Sequence, residues 1–151
     1  MDETTRPGHE EFMRRCLELS RDARSRGDTP VGSVVVLDGE ILGAASETLP
    51  SGTSVTGHAE VLACQDALDR TKRRDLAGAV LYTTAEPCLM CSYVIRQLRI
   101  ALVVYGVETP MIGGVTSGHP ILTDPSLDRW RTAPAVLGGL LRDDCARLKG
   151  G

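Results

Sequence analysis

Aromatic residues are nearly missing from this chain: one Trp, one Phe and three Tyr make up 3% of 151 positions. A ring-stacked core is excluded, so the interior must be aliphatic, built from Val, Leu, Ile and Ala. Long apolar runs are missing too, with nothing near the roughly 18 consecutive apolar residues of a membrane-spanning helix. The start, Met1-Asp2-Glu3-Thr4-Thr5, lacks the basic and then apolar pattern of a secretory leader. A cytoplasmic protein without a membrane partner is the expectation. No excess of positive charge exists either: Lys and Arg number 17 against 20 Asp and Glu, a net charge of −3. That balance offers no global attraction to nucleic acid, although a local basic patch stays open. The five cysteines are odd in number and give no disulfide framework. In a cytoplasmic chain, spaced cysteines point to metal or redox chemistry first.

What is present reads as one globular domain over residues 1–151. A domain of that size buries about 70% of its unfolded surface and needs no cross-link to fold. Residues 9–26 carry Phe12, Cys16, Leu19 and Ala23 along one helical stripe. Gly27-Asp28 ends it. Two β-rich runs, 31–37 and 40–44, flank Asp38-Gly39 and predict a hairpin. Residues 46–57 read as a loop of the length at which loops tend to be functional. A helix over about 58–70, a strand over 79–83, a helix over 88–97 and a strand over 101–105 follow. Residues 106–134, punctuated by Gly113, Gly114, Pro110, Pro120, Pro125 and Pro134, show no period and stay unassigned. A strand near 135–140 and a short helix near 141–148 close the chain. The order predicts a mixed sheet covered by helices, an antiparallel hairpin followed by parallel crossovers.

Two segments carry chemistry: Gly57-His58-Ala59-Glu60 and Glu86-Pro87-Cys88-Leu89-Met90-Cys91. Each falls at the predicted start of a helix, where α/β sheets form their ligand crevices. Cys88 and Cys91 are three apart and share one side of a first turn. A helix N-terminus also favours thiolates. His58 supplies a third ligand, which leaves zinc a fourth position for water. Zinc lowers the pKa of bound water to about 7. Glu60, two residues beyond His58, projects beside the metal and can move protons. His-x-Glu with Pro-Cys-x-x-Cys is the signature of zinc deaminases. Cys16, Cys64 and Cys145 read as small buried apolar residues.

From Pro30 to about Leu148 the sequence resembles the cytidine deaminase-like superfamily. It is nearest the branch of tRNA adenosine deaminases, guanine deaminases and fungal-type cytosine deaminases. Beyond the two motifs, Thr29-Pro30-Val31-Gly32, Val103-Val104-Tyr105-Gly106 and the run from Gly139 to Cys145 carry the likeness. The resemblance implies a three-layer α/β/α fold with a five-stranded mixed sheet, one zinc ion per chain and a homodimer. It implies hydrolytic attack at the amino-bearing ring carbon, with Glu60 protonating the ring nitrogen and then the departing ammonia. Amides at the two helix starts, that of Ala59 among them, would fix nucleophile and ring.

Rival readings remain beside these. A closed structural zinc site would need a fourth protein ligand, and Cys64 lies nearly two turns too far along its helix. A redox Cys pair would leave His58 and Glu60 unexplained. Glu60 as a solvated first-turn acid is the bland alternative. Glu86, held extended by Pro87, reads first as a loop-fixing acceptor and second as a substrate contact. His119 is a loop histidine or a substrate contact; Trp130 packs the last strand or lines the pocket. Arg70, Lys72, Arg73 and Arg74 read as a solvated connection, with RNA phosphate contact the rival.

The favoured substrate at this point is a free nucleobase or related aminated heterocycle, cytosine-, guanine- or aminotriazine-like. The net charge of −3 and the short tail after Asp144 favour it over tRNA adenosine-to-inosine deamination, the alternative. A non-enzymatic zinc-stabilised binding module is a third reading. One departure bears on the substrate. Eleven positions before His58 stands Glu47, where the relatives carry an Asn that hydrogen-bonds the base. An ionised Glu only accepts. Facing the pocket, Glu47 would ask for an N–H-rich edge such as an aminated purine, an aminotriazine or a cationic amidine.

Overall fold

Side chains alternate between the two faces of a strand, and here both faces are apolar. The computed structural model describes residues 7–150. Helix α1 (Pro7–Ser25) leads into a hairpin of β1 (Gly32–Leu37) and β2 (Glu40–Ser46). Then come α2 (Ala59–Thr71), β3 (Val80–Ala85), α3 (Leu89–Gln97) and β4 (Leu102–Val107). A 3-10 turn (Asp128–Trp130), β5 (Ala135–Gly138) and α4 (Arg142–Gly150) complete the order. The sheet runs β2-β1-β3-β4-β5. β1 is antiparallel to β2 and β3, while β3, β4 and β5 are parallel. The five-stranded mixed sheet of the sequence reading is present. The reading of Met1–Thr5 as leaderless lies outside the described residues. Among those described, no helix is long and apolar enough to cross a membrane.

Strand parity builds the layers. Val34, Val36, Tyr82 and Val104 pack with Met13, Cys16 and Leu17 of α1 and Cys145 of α4. Val35, Leu81 and Val103 pack with Ala63, Cys64 and Ala67 of α2 and Ile95 of α3. Each fully buried Val or Leu stabilises by about 1.5–3 kcal/mol. Two glycines let helices reach the hairpin backbone. A Cβ on Gly32 would stand 2.2 Å from the Cys16 carbonyl, and one on Gly43 2.4 Å from that of Ala63. Cys16, Cys64 and Cys145 are buried, as expected. Burial pushes the Cys64 thiol up to about 12, which keeps it neutral.

The later part of the long connection 108–134 is held by one side chain. Arg96 of α3 is 1% exposed. Its guanidinium donates to the carbonyls of Ile121, Asp124, Leu127, Trp130 and Arg131 at 2.6–3.3 Å. That uses every N–H the group has. Trp130 stands edge-on to Tyr93 of α3, with ring centroids 4.9 Å apart. The sequence reading has it packing the last strand or lining the pocket; the structure sets it against α3 instead.

Candidate active site

The chain leaves β3 through Glu86-Pro87-Cys88 and starts α3. Cys88 is its N-cap, in extended backbone at φ −70°, ψ 178°. His58 is the N-cap of α2 in the same manner, at φ −75°, ψ 142°. Neither side chain caps its own helix. Both turn instead toward the space between the two helix starts, and Cys91 joins them from the next turn.

The three donor atoms form a compact triangle. Cys88 Sγ lies 3.5 Å from His58 Nδ1, Cys91 Sγ lies 3.6 Å from it, and the two sulfurs are 3.6 Å apart. Tetrahedral zinc, with Zn–S of about 2.3 Å and Zn–N of about 2.0–2.1 Å, requires S···S edges of about 3.8 Å and S···N edges of about 3.6 Å. The donor set fits zinc within a few tenths of an ångström. His58, Cys88 and Cys91 could all reach one ion. Cys64 belongs to the aliphatic layer and supplies no fourth ligand. The Cys91 thiol, donating toward Cys88, pulls Cys88 down to about 5, while Cys91 itself is pushed up.

Glu60 borders the triangle and is 5% exposed. Its Oε1 accepts from Thr83 Oγ1 at 3.0 Å, and its Oε2 lies 3.5 Å from Cys91 Sγ. Burial pushes its carboxyl up to about 7, against the opposing pull of its hydrogen bonds. A cation alongside would draw it back down.

Glu47 faces the same cleft rather than solvent. It is 6% exposed, and burial raises its carboxyl above the usual range. Its Oε1 accepts from the Ala59 amide at 3.1 Å. The bond bears on the expectation that the Ala59 amide helps fix nucleophile and ring. That residue is fully buried and its N–H serves Glu47, so the amide is committed within the chain. The loop carrying Glu47 is tied down by Asp28, whose carboxylate accepts from the Ser51 amide and hydroxyl at 2.8 Å each. Arg26 bonds the Glu47 carbonyl at 2.8 Å.

Glu86 borders the cleft, and its carboxylate is engaged with the 109–116 loop. Its Oε1 accepts from the Thr109 amide at 2.9 Å and the Thr116 hydroxyl at 2.5 Å. Its Oε2 accepts from the amides of Val115 and Thr116, both at 2.8 Å. A Cβ on Gly113 would meet Oε2 at 1.9 Å, so only glycine fits there. His119 is exposed, and its amide bonds Ser117 Oγ.

The cleft holds about 140 Å³ and is bordered by Glu47, His58, Glu60, Cys88, Thr109 and Ile112, with Lys149 of α4 beside them. Larger hollows, of about 380 and 410 Å³, lie by Arg99 and Arg131 before β4 and β5, away from this donor set. Sequence reasoning missed Thr83, which reads as an ordinary strand residue. It also missed Ile112 and Lys149, which come to the cleft only through the fold.

Sheet, helix starts and donor set together form a site that could hold one metal ion beside a buried carboxylate. Residues 6–107 match the cytidine and deoxycytidylate deaminase zinc-binding region, and the chain belongs to that family. It is 36% identical over 130 residues to the tRNA-specific adenosine deaminase of Aquifex aeolicus (strain VF5), spanning 84% of this chain and 86% of that protein. A structure from work on A-to-I editing by tRNA:A34 deaminases at the wobble position of transfer RNA matches with a TM-score of 0.85. It is 34% identical and covers 91% of this chain and 98% of its own. Guanine deaminase from Bacillus subtilis matches with a TM-score of 0.63 at 34% identity, over 66% of this chain and 64% of its own.

These relatives correct the favoured substrate of the sequence reading. Free nucleobases and aminotriazine-like heterocycles fit less well than the alternative, since the relatives are named as deaminases of tRNA. The net charge of −3 misled because it averages the whole surface, whereas a phosphate responds to the cations within a Debye length of about 10 Å. Lys149 stands at this cleft whatever the total.

Proposed function

We propose that the chain is a tRNA adenosine deaminase that converts an exposed loop adenosine to inosine with release of ammonia. The observation that carries this reading is the match to tRNA deaminases over nearly the whole chain, at 34–36% identity. The cleft agrees with it. Its rim is open and apolar, with Ile112 55% exposed and the adjoining Met111 89% exposed. Apolar side chains at an open mouth suit the bases that flank a flipped-out nucleotide. Lys149 beside them offers a cation to a backbone phosphate.

In this reading His58, Cys88 and Cys91 hold the zinc, which supplies Lewis-acid activation of a water molecule at neutral pH. Glu60 takes a proton from the attacking water at Oε2. It delivers that proton to ring nitrogen N1 as the carbon bearing the amino group becomes tetrahedral. Glu60 then moves the remaining hydroxyl proton to the amino nitrogen, and the C–N bond breaks. Adenosine and water thus become inosine and ammonia. Glu47 lies on the substrate side of the cleft, with Ala59 holding one oxygen and the other directed to an N–H of the nucleotide. Glu86 fixes the 109–116 wall. Helix α4 and the two helix starts then frame a nucleotide from three sides, and a second copy of the chain as partner follows the family's pattern.

The test compares a tRNA anticodon stem-loop carrying a wobble adenosine with free adenine, guanine, cytosine and their nucleosides. Inosine forms in the stem-loop, and ammonia release from the free compounds is slower by orders of magnitude. Fast release from a free base with an inert stem-loop would reject the reading.

A further inference from the structure

Two hydroxyl groups sit where an aliphatic sheet face would be expected. Ser33 and Thr83 are fully buried and directly opposite each other in the β1–β3 register. Their neighbours two positions along, Val35 and Leu81, belong to the layer beneath α2 and α3. Parity therefore puts both hydroxyls on that same face, under the first turn of α2. A buried hydroxyl without a partner is costly, so a pair in this place needs a use.

The hydrogen bonds supply it. Ser33 Oγ donates to Thr83 Oγ1 at 2.9 Å, and Thr83 Oγ1 donates to Glu60 Oε1 at 3.0 Å. The direction is forced when Glu60 is ionised. A carboxylate only accepts, so the Thr83 proton points to it, and the Thr83 lone pair is left for the Ser33 proton. Each bond polarises the next. The other oxygen, Oε2, lies on the donor-triangle side, 3.5 Å from Cys91 Sγ.

Nothing within a glutamate distinguishes its two oxygens, because the terminal torsion is broad and two-fold. Thr83 distinguishes them. Its β-branched side chain is stiff at χ1, so the donor is fixed by the strand itself.

We infer that Ser33 and Thr83 form a hydroxyl chain that anchors Glu60 Oε1 in the sheet and reserves Oε2 for proton transfer at the cleft. This rests on Glu60 being the proton carrier. Thr83 and Ser33 are positioning residues: they touch neither nucleotide nor metal and act through Glu60. Their contribution goes to kcat, since an untethered carboxylate spends most of its time in unproductive rotations. Substrate binding does not pass through them, so KM stays where it is.

The experiment uses the zinc-loaded full chain with the stem-loop substrate. Thr83→Val, Thr83→Ser, Ser33→Ala and Glu60→Ala are compared by single-turnover rate, KM, zinc content and Tm. Thr83→Val is expected to lose about ten- to a hundredfold in rate, the loss of one hydrogen bond to a charged group, with KM and zinc unchanged. Thr83→Ser restores most of that loss by returning the hydroxyl. Ser33→Ala, which keeps the Thr83 donor, loses only about two- to fivefold. A folded, zinc-loaded Thr83→Val with wild-type rate would overturn the inference. So would a Thr83→Ser as impaired as Thr83→Val. Should Thr83→Val fail to fold, Ser33→Ala and Thr83→Ser decide: a shift confined to KM in both overturns it. Glu60→Ala separates the two levels. Wild-type turnover in that variant rejects Glu60 as proton carrier, whereas its inactivity beside an unimpaired Thr83→Val rejects the hydroxyl chain alone.

Discussion

Glu60 and Glu86 are buried glutamates at neighbouring helix starts, and the chain treats them in opposite ways. The carboxylate of Glu86 is filled: three amides and one hydroxyl of the 109–116 loop occupy its two oxygens. That of Glu60 is held at one oxygen by Thr83 and left with the other toward the Cys91 sulfur and the cleft. Burial raises the Glu60 carboxyl to about 7, and a cation in the donor triangle would draw it back down. The comparison teaches how to separate scaffold from chemistry when residue type and burial agree. A carboxylate saturated by its own backbone is structure, and one with a spare oxygen in a cleft is available for work.

The largest effect that can break this contrast is on turnover. Glu60→Ala should lower the single-turnover rate on a stem-loop by about 10²–10⁴ while keeping zinc and fold, since a positioned proton carrier contributes on that order. Loss of zinc instead would make Glu60 a ligand or a support. Glu86→Ala should do the reverse. It leaves three part-buried amides without their acceptor, at a cost of about 3 kcal/mol. A fall in Tm of about 10 °C in thermal denaturation follows from that figure. A Tm equal to wild type would mean that the 109–116 wall is held by something else.

Glu47 sharpens the comparison because it stands between the two cases, with one oxygen on the Ala59 amide. Glu47→Gln and Glu47→Asn should each lower kcat/KM by about tenfold, the value of one charge-assisted hydrogen bond. Glu47→Asn, which restores an amide, should shift preference toward bases with an acceptor at that edge. Unchanged kinetics in both would remove Glu47 from recognition. The smallest expected effect lies outside the buried zone. Lys149→Ala should weaken stem-loop binding and flatten its dependence on log salt concentration by about 0.7, the share of one phosphate contact on a single strand. An unaltered slope would take Lys149 out of the nucleic-acid path.

Much of the fold was legible because its signals are local. The Val31–Leu37 and Glu40–Ala44 runs around Asp38-Gly39 became β1 and β2, and the helices predicted from His58 and Cys88 begin one residue later, with those residues as N-caps. The two motifs made the grouping of His58, Cys88 and Cys91 legible. What the sequence hid is non-local. Residues 106–134 carry no period because their order comes from Arg96 and Glu86, whose partners lie 23 to 35 positions away. Ser33 and Thr83 look like ordinary strand residues until the register sets them face to face. The Ala59 amide looked free because helix starts leave amides unpaired, and only the fold brings Glu47 to it. The substrate was misjudged from the short tail after Asp144 and from a net charge, a quantity that carries no position.

The central claim is an open zinc centre made by three donors from two helix starts, with Glu60 beside it. The most direct measurement is zinc content together with X-ray absorption at the zinc edge, on the wild-type chain and on Cys88→Ala. About one zinc per chain is predicted, with two sulfur ligands at about 2.3 Å and lighter N or O ligands at about 2.0–2.1 Å. Cys88→Ala should lose that tight binding. Full retention of zinc in Cys88→Ala, or a closed shell with a third sulfur, would contradict the account.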